Sequence, residues 1–213
     1  MKQRSGKTVG AKGRHRVQSR LPHEYRLSGI FLVGFMGAGK TSVGRALARH
    51  LNWAFEDLDE RIERLERRTV PEIFRESGES EFRRAEHAAV RDVLAELEGG
   101  AVKVVALGGG ASVQESNAAL LGASGVPTVF LDAPVEELWQ RCLKQAGETG
   151  AERPLLGSTD QFRELFETRR KHYLQASHKI QTEGRTFEEI ASEIAATLGL
   201  KKIEIRTQPG EVE

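Results

Sequence analysis

The chain has 213 residues, of which 38% are hydrophobic and 30% charged, and a formal net charge of +1. That length suits one domain with appendages, and its apolar runs fall far short of the ~20 consecutive residues a membrane-spanning helix needs. One cysteine, Cys142, excludes internal disulfides and a cysteine-rich zinc site, and fits a reducing, cytoplasmic setting.

Residues 1–26 carry eight Lys and Arg against Glu24 alone, a net of +7 that leaves −6 for the remainder. They show no hydrophobic periodicity, so the expectation is a disordered basic arm. No apolar core marks a secretory signal, and no amphipathic spacing marks a transit peptide. No aromatic or helical module supports a nucleic-acid partner. The first predicted strand, 30–34, is the apolar run Ile30-Phe31-Leu32-Val33. It leads into Gly34-Phe35-Met36-Gly37-Ala38-Gly39-Lys40-Thr41, a complete G-x-x-x-x-G-K-[ST] sequence, and then into a helix over 40–51. Strand, glycine-rich turn and helix form the context in which backbone N–H groups and a helix N-terminus cradle an anion. Lys40 adds a point charge for the outer phosphates, and the Thr41 hydroxyl is placed to ligate Mg²⁺.

A strand over 53–57 ends in Asp57-Leu58-Asp59. In extended geometry the two carboxylates share a face, one to hold the metal through water and one to orient a hydroxyl and take its proton. Asp59 is equally suited to cap the next helix, 59–68. Helices over 71–77 and 79–97 follow, the first opened by Pro71 and Glu72. The second carries Phe82-Arg83-Arg84-Ala85-Glu86, in which Glu86 lies on the face of Arg83 and can hold its guanidinium in place. The strand 102–107 runs into Gly108-Gly109-Gly110, which signals a sharp turn or a close approach to the backbone. A helix over 114–121, a strand over 126–131 and a helix over 134–145 with Pro134 just inside it come next. Cys142 sits in that helix as a half-buried thiol. The stretch 146–158, rich in glycine and charge, is a candidate lid, and it carries Arg153-Pro154-Leu155-Leu156. A helix over 159–177 contains Arg169, Arg170, Lys171 and Tyr173, and a weaker strand near 179–182 and a helix over 186–198 close the pattern. The tail 201–213 is polar. Strands alternating with helices predict an α/β fold with a parallel sheet covered on both faces, over 27–200. The six histidines show no metal-ligand spacing.

Together these segments resemble the shikimate kinase family, from about Ile30 to Leu198. The resemblance rests on the joint order of the phosphate loop, Asp57-x-Asp59, Phe82-Arg83-Arg84, Gly108-Gly109-Gly110, Arg153-Pro154-Leu155-Leu156, and Arg169 four residues before Tyr173. It implies a P-loop kinase fold with a five-stranded parallel sheet and a mobile lid. It also implies ATP-dependent phosphorylation of the shikimate 3-hydroxyl, in the cytoplasm, by a monomer with no nucleic-acid or membrane partner. By similarity Gly37, Ala38, Gly39, Lys40, Thr41, Ser42, Arg141 and Arg153 would bind ATP, with Arg141 stacking on adenine. Thr41 and, through water, Asp57 would hold Mg²⁺. Asp59 would be the base, with Lys40 and Arg153 sharing the catalytic work. Arg83 and Arg169 would grip the shikimate carboxylate, Gly109 would touch a hydroxyl, and Phe74, Phe82 and Glu86 would line the same site. Arg170-Lys171-His172 departs from the family's usual proline before the tyrosine, which leaves Arg170 as an alternative register for Arg169. A gluconate-kinase-like enzyme would share the phosphate loop without the full acceptor set. A nucleotide kinase would carry a nucleobase-binding insertion, and a kinase-like regulatory sensor would lose the carboxylates.

Overall fold

The computed structural model describes residues 27–149 and 158–200. The basic arm 1–26, lid residues 150–157 including Arg153, and the tail 201–213 lie outside the described residues. The elements in chain order are β1 (Gly29–Val33), α1 (Lys40–Leu51), β2 (Ala54–Asp57), α2 (Leu58–Glu66), α3 (Val70–Glu98), β3 (Lys103–Ala106), a 3₁₀ turn (Ala111–Val113) and α4 (Glu115–Ala123). They continue with β4 (Thr128–Asp132), α5 (Val135–Thr149), α6 (Thr159–Tyr173), β5 (His178–Gln181) and α7 (Phe187–Thr197).

The five strands form one parallel sheet in the order β2-β3-β1-β4-β5. Every residue of central β1 is buried, as its unbroken apolar run requires of a strand covered on both faces. The edge strands β2 and β5 are more polar and more exposed. Chain order reverses at β1: β3 lies on one side of it and β4 on the other. Ligands of open parallel sheets bind at the carboxyl ends of the strands around such a switch point. Here that edge gathers the turns after β1, β2 and β3.

Local chemistry sets the helix ends. Asp57, not Asp59, is the N-cap of α2, and its side chain accepts from the Asp59 N–H. Asp59 therefore sits in the first helical turn, and the shared-face argument for an extended pair does not apply. Thr69 and Glu72 form a capping box at the start of α3, beside Pro71, and Thr186 and Glu189 form another at α7. The two helices expected at 71–77 and 79–97 run into one another as α3, but Gly78, at φ 80° and ψ 172°, breaks the helical path between them. Pro134 stands one residue before α5, and its carbonyl accepts the bond from Leu138 N–H. That helix runs on to Thr149, so the first residues of the expected lid belong to it. Cys142 is fully buried rather than half-buried. Among the described residues no helix is long and apolar enough to cross a membrane.

One polar cluster ties the β2 edge to the helices over it. Arg61 pairs with Glu56 at 3.0 Å and Glu96 at 2.8 Å, and Lys103 pairs with Glu56 at 2.7 Å and also with Glu96. Hydrogen bonds from Arg61 and Lys103 hold the Glu96 carboxyl down at about 2, against an ordinary 4.5. A depressed carboxyl stabilises the fold fully above its unfolded value and loses that contribution as pH falls towards its folded one. The melting temperature should therefore fall as pH drops from about 4.5 towards 2, and Glu96→Gln should flatten that slope. Glu96 is partly exposed, so salt should weaken the effect. A slope identical in the variant, followed by circular dichroism across the pH series, would exclude this role.

Candidate active site

The carboxyl edge of the sheet opens into a cleft of about 510 Å³. It is lined by Gly37, Gly39, Lys40, Thr41 and Ser42 of the phosphate loop and by Asp57 and Asp59. Phe74, Phe82, Arg83 and Glu86 of α3, the glycines 108–110, and Arg169 of α6 complete the wall. A larger groove of about 710 Å³ lies elsewhere, between α4 and the α6–β5 connection, but among the described residues no carboxylate, lysine or arginine lines it. The chemistry is in the polar cleft.

The donor half is built by the loop after β1. Gly39 precedes α1 in the left-handed conformation, φ 84°, which a side chain would resist. Lys40 donates to the carbonyls of Gly34 at 2.9 Å and Phe35 at 3.0 Å, so the ammonium lies across its own loop. Burial lowers its pKa, while the nearby carboxylates of Asp59 and Asp57 oppose that shift. The Thr41 hydroxyl donates to Asp57 Oδ2 at 2.7 Å. These are hard oxygen ligands of the type Mg²⁺ takes, one carboxylate beside a hydroxyl, with room left for phosphate oxygens. Among the described residues no group of three or more His, Cys, Asp or Glu side chains could hold a metal by itself. Ala38 behaves differently from its neighbours: its side chain is buried and its N–H closes the loop onto the Phe35 carbonyl at 3.2 Å. Arg141 is anchored behind the loop, reaching the carbonyls of Gly37 at 3.4 Å and Thr182 at 3.2 Å and the Glu137 carboxylate at 2.6 Å.

The acceptor half is organised by the glycine turn after β3. A Cβ on Gly108 would stand 2.6 Å from Asp59 Oδ1 and 3.1 Å from Glu86 Oε1. A Cβ on Gly110 would stand 2.6 Å from the Arg83 guanidinium. At Gly109 the nearest atom, Arg169 Nη1, would be 3.7 Å away, an ordinary contact distance, so a Cβ there would meet no clash. The outer glycines are seats for the charged side chains above them, and the middle one faces the cleft. Sequence reading singled out Gly109 and missed the seats, although a run of three glycines was the available signal.

Arg83 is held by Glu86 at 2.9 Å and Glu79 at 3.0 Å, and its guanidinium lies 5.3 Å from the Phe82 ring centre. Phe82 in turn packs on Phe74 with ring centres 4.7 Å apart. Glu86 Oε2 also accepts from Gln114, the residue just before α4, a contact that no sequence pattern announced. Asp59 Oδ1 and Glu86 Oε1 are buried with no hydrogen-bond partner among the described residues. Burial, and then the charge of Asp57, push the Asp59 carboxyl up to about 6 against the opposing pull of Lys40. Burial likewise raises Glu86, against the opposing charge of Arg83.

On α6 the structure decides the register. Arg169 lines the cleft, 5.9 Å from the Phe35 ring centre, whereas Arg170 turns to the buried Asp132 at 3.1 Å. Phe35 also packs edge-on against Phe162 and Phe166, so the phosphate loop and the helix that carries Arg169 are fastened together. Gln145 of α5 lines the cleft too, a residue that sequence reading did not single out. The arrangement gives an anion cradle with a lysine on one side. On the other side a buried carboxylate poised near neutrality faces two arginines across bare backbone.

Comparison with known proteins gives a consistent result. The family model described as "Shikimate kinase" matches residues 36–199. A shikimate kinase of Persephonella marina is 40% identical over 166 residues, covering 78% of this chain and 95% of that protein. One of Thermus thermophilus is 42% identical over 173 residues, covering 79% and 89%. The solved shikimate kinase of Acinetobacter baumannii in complex with shikimate superposes with a TM-score of 0.72 at 36% identity, covering 82% of this chain and 94% of that one.

Proposed function

This chain belongs to the shikimate kinase family, and from that premise we propose that it transfers the γ-phosphoryl group of ATP to the 3-hydroxyl of shikimate, giving shikimate 3-phosphate and ADP. The observation that carries the reading is the single cleft in which the phosphate loop faces Asp59, Arg83, Gly109 and Arg169. Two arginines for a carboxylate and an aspartate for a hydroxyl describe an anionic polyol acceptor.

In this reading the loop N–H groups of Gly37, Gly39 and their neighbours bind the ATP phosphates. Lys40 leaves its loop carbonyls to meet the β- and γ-phosphates, where its charge offsets the charge that builds in the transition state. Thr41, with Asp57 behind it, would hold Mg²⁺, which when bound supplies charge neutralisation on the phosphates. Arg141, fixed beside the loop, stacks on adenine, and Arg153 supplies a further positive charge to the transferring phosphate. On the acceptor side Arg83 and Arg169 fix the shikimate carboxylate, and Phe74 and Phe82 wall the ring. The unpartnered Asp59 Oδ1 accepts the bond from the 3-hydroxyl. As the hydroxyl oxygen attacks the γ-phosphorus and the bond to the ADP oxygen breaks, the proton passes to Asp59. Positioning supplies much of the rate, because phosphoryl transfer asks little covalent chemistry of the protein. The protein acts as a monomer in the cytoplasm.

A coupled assay following ADP release with shikimate as acceptor tests the proposal. Turnover well above the ATPase background is expected, and folded protein that binds ATP but shows no shikimate-dependent release would overturn it. The Asp59 base must be ionised, so kcat/KM should fall as pH drops through about 6. Asp59→Asn should cut kcat by about 10²- to 10⁴-fold with nucleotide binding retained, and a wild-type kcat would remove Asp59 from this role. Arg83→Ala should raise the shikimate KM by about 10- to 100-fold and leave the ATP KM nearly unchanged, and an unaltered shikimate KM would exclude its assignment.

A further inference from the structure

The first turn of α5 carries two adjacent carboxylates, Glu136 and Glu137, where the positive end of the helix favours them. They reach different partners. Glu136 pairs with Arg163 of α6 at 3.0 Å, and both of those side chains are largely exposed. Glu137 pairs along its own helix with Arg141, one turn on, at 2.6 Å, and both of these side chains are mostly buried. Arg141 Nη2 also donates to the Thr182 carbonyl, just past β5, at 3.2 Å. Its Nη1 donates to the Gly37 carbonyl of the phosphate loop at 3.4 Å. The N–H bonds of a guanidinium lie in the plane of the group, so all three acceptors grip its edge and leave its faces for stacking. Among the described residues Glu137 is the charged member of the three, and it makes the shortest bond, so it fixes the orientation most strongly. The other carboxylate oxygen, Glu137 Oε2, is buried with no hydrogen-bond partner among the described residues, so the side chain is committed to Arg141.

We propose that Glu137 is a positioning residue for the nucleotide: it holds the Arg141 guanidinium by its edge so that a face is presented to the base of ATP. An arginine ordered only by its ligand loses side-chain entropy on binding, whereas one held by Glu137 has lost much of it already on folding. Glu137 touches no reacting atom and acts through Arg141. Charge alone points the other way. A carboxylate beside a triphosphate site repels the ligand, so its removal would tighten ATP binding. The sign of the effect therefore separates positioning from simple electrostatics. The inference rests on the reading that Arg141 stacks on adenine.

Glu137→Ala should raise the ATP KM by about five- to tenfold, with kcat and the shikimate KM changed by less than about twofold. Glu137→Gln, which keeps an acceptor for the guanidinium, should recover much of that loss. Glu136→Ala removes the same charge from the same helical turn without touching Arg141, and should leave the ATP KM unaltered. Inorganic tripolyphosphate, which has the phosphates but no base, should inhibit wild type and Glu137→Ala with the same Ki. In an Arg141→Ala background, Glu137→Ala should add nothing further. An ATP KM unchanged or lowered by Glu137→Ala overturns the proposal. So does an equal weakening of ATP and tripolyphosphate, an equal rise with Glu136→Ala, or an additive effect of Glu137→Ala and Arg141→Ala. If Glu137→Ala does not fold, Glu137→Asp keeps the charge but falls a methylene short of the guanidinium, and it is held to the same outcomes. Arg141→Ala with a normal ATP KM would overturn the adenine reading and this inference with it. A raised KM in Arg141→Ala beside a normal one in Glu137→Ala overturns the inference alone.

Discussion

The approach of charged side chains to bare backbone at Gly108–Gly110 is the constraint on which the rest of the site depends. Asp59 of α2, Arg83 and Glu86 of α3, and Arg169 and Tyr173 of α6 all meet that one turn. The groups converge only because β1, β2 and β3 run parallel and end at the same edge. A methyl group at Gly108 would collide with Asp59, whose short side chain can retreat little. At Gly110 it would meet the far end of Arg83, which has more freedom. The turn is thus specific at its two outer positions for internal reasons and at its middle position for what enters from outside.

The electrostatics follow from this crowding. Asp59 and Glu86 are buried carboxylates that each leave one oxygen without a partner, which costs about 1–3 kcal/mol apiece in a folded protein. The cost is tolerated because Lys40 and Arg83 lie nearby and because a hydroxyl-rich ligand can supply the missing bonds. The same burial that raises Asp59 lowers Lys40, and the attraction between the two charges opposes both shifts. Glu86 serves a second purpose. Together with Glu79 it holds the Arg83 fork, so the arginine meets a carboxylate with little further loss of side-chain freedom.

Much of this was legible in the chain before folding. Apolar runs and helical periodicity gave five strands and the flanking helices, because burial on both faces of a parallel sheet leaves an unbroken hydrophobic signature. Glycine spacing gave the phosphate loop, because the backbone must curl there without side chains. The errors were local. Asp57 rather than Asp59 caps α2, because the helix starts one residue earlier than expected, at Leu58, and the cap is the last residue still in extended geometry. Periodicity also stopped α5 short, since glycine and charge read as loop whether or not the helix carries on.

What the sequence alone determined is the set of chemical groups and the local elements that bear them: a lysine and threonine after a glycine loop, a carboxylate after β2, arginines on two helices. Local spacing encodes these because helix and strand periods are short-range properties. Only the tertiary structure decided which groups face one another. It chose Arg169 over Arg170, since Asp132 on β4 claims the second. It seated Asp59 and Arg83 on Gly108 and Gly110, and it tied Tyr173 to the Gly109 carbonyl. Each of those contacts joins residues far apart in the chain, and their closeness is fixed by strand order and helix packing rather than by any pattern within one segment.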